Sequence, residues 1–255
     1  MAEAIIRNAA VLVIGNEILS GRTADKNINT IAGKLFAHGV DLLEVRIVPD
    51  QKAAIIAAVS VLAETYDYVF TTGGIGPTHD DITAACIAET FGQEYGRHPK
   101  ADAILRDYYK ERGLSYNTAR QQMADMPLDV ELIKNSISGA PGFQCQNVYV
   151  LAGVPSIMAA MFDELLITER IAKGAAWSLF CITIHKAESE IAAMLQQFEN
   201  DHAGLEIGSY PRQDTAGNYL VNVVFRHRDS VTLDQLRISV LEKLQEQNIA
   251  FDAEE

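Results

Sequence analysis

Between Tyr68 and Thr83 the chain reads YVFTTGGIGPTHDDIT: an apolar, β-branched and aromatic run, three glycines and a proline, then two adjacent carboxylates. Gly73, Gly74 and Gly76 leave room for a ligand to approach the main chain. A helix starting near Asp80 or Asp81 would offer free N–H groups to an anion. The carboxylates oppose that reading, because Asp80 and Asp81 beside a phosphate-sized hole repel a bare phosphate. A divalent cation between them removes the conflict, since Mg²⁺ is commonly held by one or two carboxylates plus substrate phosphates. Thr78 and Asp81 also form a T-x-x-D pattern close to a capping box, so either aspartate has a structural reading as a helix cap. The glycines fit neither GxGxxG nor a P-loop.

Other polar residues gain meaning from where the elements would put them. Ala10 to Gly15 reads as a strand buried on both faces, followed by a loop from Gly15 to Gly21 that carries Asn16 and Glu17. A helix over 24–38 ends at a Gly39 C-cap, a strand runs from Leu42 to Val48, and Asp50 is placed to N-cap a helix reaching Glu64. Tyr68 to Thr72 is the third strand. This βαβαβα order predicts a doubly wound, mostly parallel sheet, in which ligands bind beyond the carboxyl ends of the strands. Glu17, Asp50 and the Asp80–Asp81 pair therefore follow three strand ends. Asn117 and Arg120, in a polar stretch after a helix over 99–112, are candidates to neutralise phosphate oxygens, with a polar surface helix as the simpler account. His79 and His98 receive no role.

A turn at Ser138–Gly142, a strand over Val148–Leu151 and a helix after Pro155 complete a first domain, residues 1–172. KGAAW, Lys173 to Trp177, reads as a linker. Residues 177–255 then suggest a small α+β domain, with strands at 179–184, 205–210 and 219–225 and helices at 188–198 and 232–245.

Composition narrows the classes. The balance of 21 basic against 34 acidic side chains, net −13, has the wrong sign for a dedicated nucleic-acid binder. The short apolar run near the amino terminus is too brief to span a bilayer and lacks a signal-peptide pattern. Three scattered cysteines form no CxxC pair and point to a reducing cytoplasm rather than to zinc or disulfides. No Ser/His/Asp or Cys/His arrangement is visible.

On these motifs the chain is identified as a member of the MoaB/Mog-like molybdopterin-binding family, whose usual signature is TTGGTG followed by D-x-T. Gly15-Asn16-Glu17-Ile18-Leu19-Ser20-Gly21, then Asn27, resembles the G-x-E-[IL]-L-x-G element of its CinA amino-terminal branch. Val48-Pro49-Asp50 and Ala140-Pro141-Gly142-Phe143 match two further elements of that branch. GGIGPTHDD, NVYVLAGVP and Gly208-Ser209-Tyr210-Pro211 are similar to the molybdopterin-binding-like region of eukaryotic FAD synthases. Two departures stand out. Ile75 replaces the threonine of TGGTG, removing a hydroxyl that could contact a pterin, and Ala152 and Val154 replace two prolines of the usual PGPP.

The resemblance implies a Rossmann-like three-layer fold and metal-dependent hydrolysis of a nucleotide pyrophosphate such as ADP-ribose or FAD. Thr72, Gly73, Gly74, Ile75 and Gly76 would hold the diphosphate, with Gly15, Glu17 and Asn117 as further substrate-binding positions. Asp81 and Asp80 would carry a Mg, Mn or Co ion, with Asp50 assisting, and Arg120 would stabilise developing charge. The rivals are molybdopterin binding or adenylylation in the same cleft, and a non-catalytic nucleotide- or pterin-sensing scaffold. A small-molecule partner and a homo-oligomer, dimer or trimer, are implied. No nucleic-acid or membrane partner is expected. The amidohydrolase domain of full CinA and the FAD-forming domain of the eukaryotic enzymes are missing from these 255 residues, so neither activity is expected.

Overall fold

A computed structural model describes residues 5–253. The chain divides into two compact units, one up to Gly174 and one from Ala175. In the first, the order is β1 (Arg7–Ile14), α1 (Asn16–Leu19), α2 (Asn27–His38), β2 (Val40–Val48), α3 (Lys52–Thr65), β3 (Tyr68–Thr72) and α4 (Thr83–Thr90). There follow β4 (Tyr95–Arg97), α5 (Pro99–Glu111), α6 (Thr118–Gln122), β5 (Asp125–Pro127), β6 (Glu131–Ile133), β7 (Gly142–Cys145), β8 (Val148–Leu151) and α7 (Pro155–Ile167). The main sheet runs β2-β1-β3-β8-β7-β6. The pairs β1/β2, β1/β3 and β3/β8 are parallel, and β7 and β6 are added antiparallel at one edge.

Why these residues make a central sheet follows from burial. All five residues of β3 and all four of β8 are buried, as a strand covered on both faces requires. Leu12, Val69 and Val150 join the core under α3 and α4, while Val11, Phe70 and Tyr149 join the other, under α2 and α7. Gly39 closes α2 as its C-cap.

Several local expectations change. The Gly15–Gly21 loop contains the short helix α1, and the polar stretch from Asn117 contains α6 and β5. The helix expected at Asp80 or Asp81 begins at Thr83, after an Ile82 N-cap. α3 is capped by Gln51 without a side-chain bond, because the Asp50 carboxylate is turned to Asn16. His98 does have a structural role, since its Nδ1 accepts the Ala101 N–H at 3.3 Å as N-cap of α5.

The second unit holds β9 (Ser178–Ile184), α8 (Glu188–Asp201), β10 (Glu206–Gln213), β11 (Tyr219–His227), α9 (Ser230–Glu246) and β12 (Phe251–Ala253). Its antiparallel sheet runs β10-β11-β9-β12. Alternate residues Val221, Val223 and Phe225 face a core with Ile191, Leu236 and Val240 from the two helices, the pattern of a sheet covered on one side.

Candidate functional site

The chain leaves β1 for β2 on one side and later enters β3 on the other, so β1/β3 is the point where the strand order reverses. Ligands of open α/β sheets bind there, outside the carboxyl ends. The main chain is drawn tightly together at that end. Gly15 donates its N–H to Val48 O at 3.2 Å, joining the ends of β1 and β2, and Gly73 donates to Leu151 O at 3.3 Å, joining β3 and β8. Gly73 has φ +102°, and a Cβ there would collide with the Ile14 carbonyl oxygen. A Cβ on Gly153 would come within 3.2 Å of Gly73 Cα. Backbone packed this closely tolerates glycine alone at position 73.

Side chains fasten the loops over this end. Asp50 Oδ2 accepts the Asn16 N–H at 2.8 Å, so a side chain two residues beyond β2 holds the turn that carries Glu17. Asn27 Nδ2 donates to Gly153 O at 2.8 Å, and its buried Oδ1 has no partner. Thr83 donates its N–H to Gly74 O at 3.0 Å and its hydroxyl to Gly73 O at 3.1 Å. The first N–H of α4 is thereby committed, and the helix start lies at Thr83 rather than at Asp80 or Asp81. Asp81 Oδ2 accepts from the Thr78 N–H at 2.8 Å and from the Thr78 hydroxyl. That closes a turn ahead of the helix rather than a capping box. Hydrogen bonding by Thr78, then by its own N–H, holds the Asp80 carboxyl below the ordinary aspartate range.

The result is a cleft of about 530 Å³, lined by Gly15, Glu17, Asp50, Gly73, Gly74, Ile75, Gly76, Asp80 and Asp81. A smaller recess of about 180 Å³ adjoins it, sharing Ile75, Gly76, Asp81 and Met123 and adding His79, Tyr95, Gln122 and Asp125. Thr72 is buried behind the cleft, its hydroxyl without a partner.

Asn117 and Arg120 line neither space. Asn117 Oδ1 N-caps α6 by accepting the Arg120 N–H at 3.0 Å. The Arg120 guanidinium lies 4.4 Å from the Tyr109 ring centroid and donates to Ser115 O. Both belong to the simpler structural account. Sequence reasoning missed Asn135 and Ser138, which line the cleft. Buried Asn135 accepts the Ile137 and Ser138 N–H groups and donates to Ser138 Oγ and Ala140 O, so it shapes this wall from within. An asparagine just ahead of the Ser138–Gly142 turn was the one signal that could have found them.

The large cleft carries four carboxylates, Glu17, Asp50, Asp80 and Asp81, and no Lys, Arg or His among its lining residues. Four carboxylates without a basic neighbour repel a bare polyanion. Carboxylate oxygens suit a hard ion. Among the described residues no group of three or more His, Cys, Asp or Glu converges to hold a metal by itself, so an ion here would also need substrate oxygens.

Comparisons with known proteins agree with this architecture. Residues 10–172 match the family model described as "Probable molybdopterin binding domain", and residues 178–253 that described as "FAD synthase, middle domain". A protein of Aeropyrum pernix is 32% identical over 244 residues, 93% of this chain and 91% of that one. A "CinA-like protein" of Geobacter metallireducens is 33% identical over 78% of this chain, which spans 50% of that protein's length. The solved structure of CinA, "with unknown function", from Thermoplasma acidophilum is 34% identical with a TM-score of 0.59, covering 64% of this chain and 98% of that one. Among the described residues no helix is long and apolar enough to cross a membrane.

Proposed function

From the premise that this chain belongs to the family of probable molybdopterin-binding domains, we propose that it hydrolyses the diphosphate bond of a nucleotide such as ADP-ribose or FAD, releasing AMP and a phosphorylated product. The observation that carries this reading is the cleft at the sheet's reversal point, with four carboxylates and no basic side chain. A polyanionic substrate enters such a site only as a complex with divalent cations. Asp81 and Asp80 would hold a Mg, Mn or Co ion, with Asp50 completing the acidic wall. The ion would supply charge to the diphosphate oxygens and lower the pKa of an attacking water.

The chain's own groups do the rest. Thr78 fixes the Asp81 carboxylate through two hydrogen bonds, and Asn16 fixes that of Asp50. The main chain from Gly73 to Gly76 lies along the cleft without bulky side chains except Ile75, so a diphosphate can lie against it. Phosphoryl chemistry asks mainly for position and electrostatics, and no nucleophilic triad is required. Arg120 is engaged elsewhere and has no part in this scheme.

The family match favours a second reading, in which a pterin occupies the same cleft and is bound or adenylylated. One assay separates the readings: incubation with ADP-ribose, FAD, or ATP plus molybdopterin, each with Mg²⁺, Mn²⁺ or Co²⁺, and resolution of the products. AMP released from a dinucleotide, and lost in Asp81→Ala with the fold retained, is expected. Adenylylated pterin would replace this proposal with the second reading. Saturable binding without turnover would reduce the protein to a sensing scaffold.

A further inference from the structure

The nine-residue strand β2 ends the six-stranded sheet, and among the described residues no strand pairs with its outer edge. A free edge presents N–H and C=O groups that can template another chain, and soluble proteins commonly blunt it. β2 instead carries Leu43, Val45 and Ile47 at alternate positions, 64%, 39% and 37% exposed. The register against β1 skips Leu43, then runs without interruption from Glu44 to Val48. Within that regular stretch Glu44 and Arg46 alternate with the apolar residues. Arg46 Nη2 donates to Glu44 Oε1 at 2.6 Å, and the Tyr66 hydroxyl donates to Glu44 Oε2 at 2.9 Å.

These residues select one partner and one register. A two-fold axis that pairs the strand antiparallel with its own copy sets one residue opposite itself. At Glu44 it would oppose two carboxylates, and at Arg46 two guanidiniums. At Val45 it sets Glu44 opposite Arg46 on both sides of the axis, with valine against valine and Leu43 and Ile47 flanking. Opposite charges and apolar pairs directly across a ladder are the stabilising combinations, and like charges the destabilising ones.

We infer that β2 is the surface through which two copies of this chain associate, antiparallel about a two-fold at Val45, so that two six-stranded sheets become one. A contact of one short ladder lies at the small end of protein interfaces, so the dimer forms in a concentration-dependent way.

Sedimentation velocity over a concentration series reads the association, and cysteine cross-linking reads the register. Cα atoms directly opposite in an antiparallel pair stand about 4.5–5.5 Å apart, within the span of a disulfide. In a Cys181→Ser background treated with diamide, Val45→Cys is expected to give a covalent dimer. Ile47→Cys is expected to give none, since position 47 faces position 43. Glu44→Arg and Arg46→Glu should each weaken association at least about tenfold by opposing like charges, and the double reversal should restore it. A melting curve on each variant checks folding, and Val45→Cys keeps the test open if a charge variant unfolds. A monomer at all concentrations, a trimer, a dimer that Val45→Cys does not cross-link, or charge variants without effect would each overturn the assignment.

Discussion

Each of the two compact units ends its sheet on one side in a long strand, β2 in the first and β10 in the second, and the two edges are treated in opposite ways. On β10, in the second unit, the Ile207 N–H is taken by Glu199 Oε1 at 3.0 Å. Four residues on, Pro211 occupies the equivalent outward position and has no N–H to offer. The Ser209 hydroxyl between them is bonded to Glu188. On β2, in the first unit, the outer edge carries no proline, and an exposed apolar stripe runs beside it. A blocked edge favours a strand that remains terminal, and an open one favours recruitment of another. The same contrast holds at the strand ends. Parallel connections in the first unit bring Gly15, Asp50 and Gly73 to one end and build an acidic cleft there. The antiparallel second unit alternates its ends, and its hairpin turn from Asp214 to Asn218 closes on itself, with Asp214 Oδ1 accepting from Ala216 and Asn218.

The sharpest way to break this contrast is at the turns. Gly73→Val drives a Cβ into the Ile14 carbonyl at φ +102°. It should cost more than about 3 kcal/mol, as overpacking added to an unsuitable backbone conformation. Gly217→Val meets open space at φ +86° and should cost only about 1–2 kcal/mol. Denaturant unfolding of both variants decides; equal losses would mean that the strand-end turn is no tighter than the hairpin.

Next in size is the acidic wall. Asp81→Asn keeps the shape that Thr78 binds but removes a charge, and should lower AMP release at least about a hundredfold, about 2.7 kcal/mol in barrier terms. Its unfolding midpoint should stay close to the parent's. Undiminished turnover would remove the carboxylate from the chemistry.

Alkaline stability follows. Burial first, and then Tyr68, push the Tyr149 phenol up to about 12, against about 10 in an unfolded chain. The native state holds that proton more tightly, so its contribution is complete below pH 10. It is lost as the pH rises towards 12, by at most about 2.7 kcal/mol. Tyr149→Phe should flatten this fall. Denaturant midpoints at pH 9 and pH 11 measure it.

The smallest effect is expected at the blocked edge. Pro211→Val restores an outward N–H and should change stability by less than about 1 kcal/mol, yet raise self-association detectably in sedimentation. If it does not, proline is not what guards β10.

Part of this architecture was legible along the chain. The aromatic, apolar and β-branched runs of β3 and β8 have the bounds the pattern implies, and Gly39 ends α2 as read. Short strands were harder. β4, β5 and β6 span three residues each, too few for a two-residue period to declare itself. Thr78 and Asp81 have the spacing of a capping box, but the helix begins two residues beyond Asp81. Spacing alone cannot tell a turn from a cap when both use the same carboxylate-to-N–H bond. Asn117 and Arg120 looked free to bind phosphate because their local partners, the α6 terminus and Tyr109, appear only once the helices are placed.

What the sequence determined by itself was the alternation of strands and helices, and with it a mostly parallel sheet having glycines and carboxylates after successive strands. Those properties depend on residue types and short spacings, which the chain carries locally. Only the tertiary structure decided that Glu17, Asp50, Asp80 and Asp81 share one cleft with no basic side chain, and that β2 lies at an open edge. Both depend on the strand order, set by how crossovers pack their apolar faces on the sheet, and no single segment encodes that order.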